Sequence, residues 1–180
     1  MKKILLIVIV FLNLISCKNE TTGSSSNQET DKKNTEDFFT IVLDVVVKKD
    51  EAFQVYYTDQ TSDKFNEEQS IWIETKGSES PQKITFNLPK DFYPKMVRLD
   101  FGLKDVQEDI KLNTIEFKHF DKSVVLKGEE MAKYFRPLDK TEIDFKTGLI
   151  KAKFENGKRI EPVLFPHELI QEELFNKISK

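Results

Sequence analysis

Along most of the chain, apolar and polar positions alternate with a period of two. Phe53, Val55 and Tyr57 alternate with Gln54, Tyr56 and Thr58; Ile84, Phe86 and Leu88 alternate with Lys83, Thr85 and Asn87; Val97, Leu99 and Phe101 alternate with Met96, Arg98 and Asp100. Successive side chains of a strand point to opposite faces, so each segment predicts a strand with one face in a core and one facing out. Between Phe38 and Lys48 both parities are apolar, with Asp44 the one charged interruption and Thr40 near the start, the pattern of a strand in the middle of a sheet. Between 110 and 119 the parity slips, because Ile110 and Leu112 are followed by Ile115 and Phe117. That slip predicts a bulge near Asn113. Shorter strands are expected at 70–75, 123–126, 142–145 and 149–154, separated by Gly, Pro, Asn and Asp. Helix is expected at 129–135 and at 166–178, where Pro166 suits a first helical position and Ile170, Leu174 and Ile178 share one face. Eight or nine short strands without long helices between them predict an all-β fold, an antiparallel two-sheet sandwich with a short C-terminal helix.

The amino-terminal 36 residues follow a different rule. Lys2 and Lys3 precede an apolar run from Ile4 to Ile15, too short to cross a bilayer comfortably and laid out like a secretory signal peptide. Leu14-Ile15-Ser16-Cys17 resembles a bacterial lipobox. The resemblance implies cleavage before Cys17 and lipid on its thiol and new amino terminus. Residues 18–36 contain no aromatic or aliphatic side chain that could seed a core, and are expected to form a disordered tether. The expected organisation is thus a lipoprotein signal peptide at 1–16, lipidated Cys17 and tether at 17–36, and one sandwich domain at 37–180. The implied location is the cell envelope, periplasmic or on the outer surface, with the membrane as a partner through the lipid.

Charge and cysteine usage narrow the functions. The chain carries 28 basic and 31 acidic residues, and losing Lys2 and Lys3 takes its net charge from −3 to −5. A mildly acidic chain with no basic block argues against nucleic acid as a partner. Cys17 is the only cysteine, so the mature chain has no disulfide and no thiolate metal cluster.

The segments Phe53-Gln54-Val55-Tyr56-Tyr57, Ser80 to Pro89 and Val97-Arg98-Leu99-Asp100-Phe101-Gly102, with Lys133-Tyr134-Phe135 and the late Pro-Val-Leu-Phe-Pro run, resemble the jelly-roll module of Bacteroidota-type lipoproteins. The likeness covers most of the mature chain. It implies a jelly-roll-like sandwich of the carbohydrate-binding-module type, and the family carries no established activity.

Candidate chemistry lies on the outward parity. Tyr56 and Trp72 point away from the core residues beside them, and Gln54, Glu74, Asn87, Arg98 and Asp100 join them if their strands are neighbours. A flat ring beside amide and carboxylate groups suits a sugar, which has apolar C–H faces and hydroxyl edges. The pattern equally allows Trp72 to be covered by the terminal helix or a loop, and Arg98–Asp100 to be a structural pair. Two acidic loops, one with Asp59 and Asp63 and one with Asp105, Glu108 and Asp109, offer oxygens for a structural calcium, without the spacing of an EF-hand. His119 and His167 show no metal-ligand spacing, and no nucleophile elbow or phosphate loop is present. The expected function is a non-catalytic binding module for an envelope or environmental glycan, using Tyr56, Trp72, Arg98, Asp100 and Gln54, with no cofactor. The alternative is a structural lipoprotein that docks another envelope protein through its outer sheet face.

Overall fold

The computed structural model describes residues 38–102, 104, 108–138 and 140–179. Cys17 and the segments expected to be a signal peptide and a tether lie outside the described residues, as does Asp105. The strands are β1 (Thr40–Val46), β2 (Glu51–Thr58), β3 (Ser70–Thr75), β4 (Gln82–Asn87), β5 (Met96–Phe101), β6 (Ile110–His119) and β7 (Lys122–Lys127), then β8 (Phe135–Pro137), β9 (Ile143–Asp144), β10 (Leu149–Ile150), β11 (Lys153–Glu155), β12 (Lys158–Ile160) and β13 (Val163–Pro166). Eleven of them form two large antiparallel sheets, and β11 and β12 pair with each other as a separate two-stranded hairpin. One large sheet runs β4-β1-β6-β10-β9, with β7 also on β6; the other runs β3-β2-β5-β13-β8. The chain passes from one sheet to the other at each of the β1–β2, β3–β4, β4–β5 and β5–β6 connections. This is the all-β sandwich that the alternation predicts.

The inward parity builds the core. Ile41, Leu43 and Val45 face Phe53, Val55, Val97 and Leu99 across the interior, all at most 1% exposed. Between β1 and β6 the register steps: Asp44 pairs with Thr114 but Val45 pairs with Leu112. Asn113 is the extra residue, the bulge that the parity slip predicts, and its amide donates to Asp44 Oδ1 at 2.8 Å. Gly148 fits against this point at φ +74°, where an added Cβ would lie 2.0 Å from the Leu112 carbonyl oxygen.

One end of the sandwich is closed by aromatic rings. Helix α1 (Met131–Tyr134) leads directly into β8, and a π-helical turn at Ile170–Phe175 continues into α2 (Asn176–Ile178). Ile170, Leu174 and Ile178 are all buried, as the pattern predicts. The helix starts later than expected, because Pro166 pairs with Phe135 at the end of β13. Phe175 packs edge-on to Phe39 and Phe117 at ring separations of 5.0 and 5.3 Å. His119 sits within this cluster, its Nδ1 3.1 Å from the Ile178 carbonyl oxygen.

The β11–β12 hairpin is fastened by one buried ion pair. Arg159 Nη1 lies 3.1 Å from Glu51 Oε2, with side-chain exposures of 3% and 0%. The guanidinium also donates to the carbonyls of Lys104 and Phe101, each at 3.2 Å. Glu51 Oε1 accepts from the Ala52 and Lys104 amides at 2.9 and 3.0 Å, so both charges are enclosed by donors and acceptors. Gly102, at φ +80°, makes room for Glu51; a Cβ there would come within 2.3 Å of the carboxyl carbon.

Candidate functional site

Strands β3, β2 and β5 are adjacent, and their register aligns the nominated residues. Trp72, Gln54 and Asp100 form one cross-strand row, and Ser70, Tyr56 and Arg98 the next. Val163 pairs with Asp100 and carries the first row onto β13. All five residues expected to bind glycan therefore share the outer face of the five-stranded sheet. Glu74 is exposed on β3. Asn87 is elsewhere, on β4 of the other sheet, where Oδ1 accepts from the Thr40 hydroxyl at 2.9 Å.

Within this face the groups are differently available. Trp72 is 44% exposed on the edge strand, an open ring. Tyr56, expected as a second platform, is 6% exposed, because the segment between β2 and β3 folds over it. Phe65 from that segment meets Tyr56 at 6.4 Å and Phe165 at 5.4 Å, both edge-to-face. Asn66 caps the short turn that follows, accepting from the Gln69 amide at 3.0 Å, and the turn presents Glu67 to the sheet. The Tyr56 hydroxyl donates to Glu67, and Gln54 Nε2 donates to Glu67 Oε2 and to Ser70 Oγ, each at 3.0 Å. Arg98 forms a two-point fork on Asp100, Nε to Oδ1 at 2.8 Å and Nη2 to Oδ2, and lies 4.3 Å over the Tyr56 ring. Gln54, Tyr56, Arg98 and Asp100 thus spend much of their bonding capacity on one another and on Glu67.

The protonation chemistry follows from this enclosure. Burial, with Glu67 beside it, pushes the Tyr56 hydroxyl up to about 12. The Tyr56 and Gln54 donors hold Glu67 below the ordinary carboxylate range. Burial pushes Asp100 up, against the pull of Arg98. Glu161, just before β13, is pushed up to about 7, first by burial and then by the charge of Asp100. It lines an open groove of about 420 Å³ with Leu138, Lys140, Ile160 and Val163. Because the folded chain holds the Glu161 proton more tightly than the unfolded chain, this group contributes stability at low pH that is lost as pH rises from about 4.5 towards 7. Glu161→Gln is expected to stabilise the domain at pH 8 by about 1 kcal/mol, a figure reduced for partial solvent contact. Its urea midpoint, compared with that of the parent at pH 5 and pH 8, checks this; an equal gain at both would remove titration as the cause.

The acidic loops are engaged with their own surroundings. Asp59 Oδ1 accepts from the Thr61 amide and hydroxyl at 2.8 and 2.6 Å, and Asp63 pairs with Lys95 at 2.6 Å. Glu108 lies 3.5 Å from Lys49, and Asp109 meets Lys151 at 2.7 Å and the Ala152 amide at 2.9 Å. Among the described residues no three His, Cys, Asp or Glu side chains gather as metal ligands.

The outer face continues past these residues to a part that the alternation did not single out. Phe165 on β13 pairs with Arg136 on β8, and the guanidinium lies 4.8 Å over its ring. Two open grooves flank Phe165. One, of about 430 Å³, is lined by Asp63, Lys95 and Glu172 among others. The other, of about 490 Å³, is lined by Lys133, Arg136, His167, Glu168 and Leu169. No protein family, curated protein or solved structure matches the chain.

Proposed function

We propose that the domain is a non-catalytic binding module for an envelope or environmental glycan, held at the cell envelope by lipid on Cys17. The observation that carries the reading is Trp72, an open ring on the same sheet face as amide, carboxylate and guanidinium groups. The covered cluster of Gln54, Tyr56, Glu67, Arg98 and Asp100 serves as a rigid support in the middle of that face, and ligand is met at its two open sides. Preorganised polar support of this kind fixes a binding surface without motion on binding. The alternative, docking of another envelope protein, calls for a broad apolar patch. The large apolar side chains that stand exposed among the described residues, Trp72, Val125, Phe154 and Leu169, lie on three separate strands and in the turn after β13, which favours the glycan.

A glycan-array experiment on the full chain beside Trp72→Ala tests the binding. We expect array binding by the parent and a loss of about five- to thirtyfold in the variant, since an aromatic contact contributes on the order of 1–2 kcal/mol. Binding unchanged in a folded Trp72→Ala chain would contradict the proposed platform. The anchor is tested separately. Cys17→Ser is expected to move the protein from the membrane fraction to the soluble fraction, and full membrane retention would refute lipidation at that residue.

A further inference from the structure

We propose, building on the glycan reading above, that the groove between β8 and the β13–helix turn is a subsite for an acidic sugar, a ring that carries a carboxylate or an anionic ester. The fold gathers three basic side chains there. Phe165 pairs with Arg136 and Pro166 with Phe135, and the His167 amide donates to the Tyr134 carbonyl at 2.8 Å. This register brings Lys133 at the end of α1, Arg136 on β8 and His167 after β13 to the rim of one groove of about 490 Å³. That size accommodates a small ligand or one or two sugar rings.

Several other cations of the domain are already engaged by an acid: Lys95, Arg98, Lys140, Lys151 and Arg159 each meet a carboxylate. The side chains of Lys133, Arg136 and His167 make no ion pair or hydrogen bond among the described residues, and the contact of Arg136 is with the Phe165 ring. A guanidinium laid on an aromatic ring is already oriented, and its planar fork matches a carboxylate or a phosphate-type anion at two points. Phe165, Pro166 and Leu169 supply an apolar surface in the same groove, with Leu169 46% exposed. An acidic sugar presents both complements, an anion and a C–H face. Among the described residues Glu168 is the one carboxylate lining the groove, and it opposes an anion there.

Calorimetry on the full chain with tetragalacturonate, and with the same tetramer fully methyl-esterified, tests the inference. The acid is expected to bind and the neutral ester to bind at least about tenfold more weakly. Arg136→Gln should weaken the acid by about tenfold, the size of a lost hydrogen bond to a charged group. Arg136 is exposed, so this variant is expected to fold, and its thermal midpoint verifies that. Glu168→Gln should tighten acid binding, and added salt should weaken it. Equal binding of acid and ester, or unchanged acid binding in folded Arg136→Gln, overturns the acidic subsite. Failure of both tetramers while a neutral array glycan still binds in a Trp72-dependent way overturns the subsite and leaves the glycan reading standing. Absence of binding to any sugar overturns both.

Discussion

Arg159→Ala is expected to destabilise the domain by about 3–5 kcal/mol, the loss typical when one partner of a buried ion pair is removed. Three groups lose their complement together. Glu51 is left with a fully buried charge, and the carbonyls of Phe101 and Lys104 lose donors. The β11–β12 hairpin also loses its fastening to β2 and to the segment after β5. Urea denaturation gives the value directly. Arg159→Met with Glu51→Leu should recover most of the loss, because the cost comes from the orphaned charge more than from the missing attraction. A loss under about 1 kcal/mol in Arg159→Ala would mean that the carboxylate finds water on its own, against the enclosure described above.

Phe117→Ala carries the second large effect, about 3–5 kcal/mol for a large aromatic side chain deleted from a packed interior. Phe117 is 0% exposed and sits where three parts of the fold meet. It stacks on Phe135 of β8 at 6.3 Å, touches Phe175 of the terminal helix edge-on at 5.3 Å, and meets Phe39 at 6.2 Å. Cavity cost depends on how far neighbours can relax, and a ring fixed by both sheets and the helix leaves little room for that. Phe117→Leu keeps most of the volume and should cost less than half as much. Thermal unfolding of the two variants checks the ordering; equal losses would place the effect in ring stacking instead of in volume.

Local pattern carried the fold further than it carried the site. The alternation in Phe53–Thr58 and Met96–Phe101 requires only that a strand bury one face, so the inward residues were readable one segment at a time. Asn113 was visible because a bulge shifts parity within a single strand. Strands β8 and β13 were not visible. Each is only three or four residues long and contains proline, and neither has a period of its own. They become strands because Leu164, Phe165 and Pro166 find Pro137, Arg136 and Phe135 across the sheet.

The same limit applies to chemistry. Parity correctly turned Gln54, Tyr56, Trp72, Arg98 and Asp100 to one outer face, and β2–β3 and β2–β5 pairing gathered them. It could not reveal that Phe65 and Glu67 fold back over Tyr56, since a covering segment is defined by long-range contact and not by spacing. Asn66 capping the Gln69 amide and Asp59 accepting from the Thr61 amide are local bonds that order this segment, but neither says what it covers. Arg136 and Lys133 gave no signal, because two bases on a short helix and an edge strand resemble any solvated surface until β13 and His167 arrive beside them.

The most direct test of the binding face is a chemical-shift map of the full chain titrated with a glycan that binds on the array. Shifts concentrated at the Trp72 indole and around Phe165 and Arg136, with Val125 on the opposite sheet unmoved, are the predicted result. Shifts centred on Val125 and the outer face of the β4-β1-β6 sheet, with Trp72 unmoved, would contradict it.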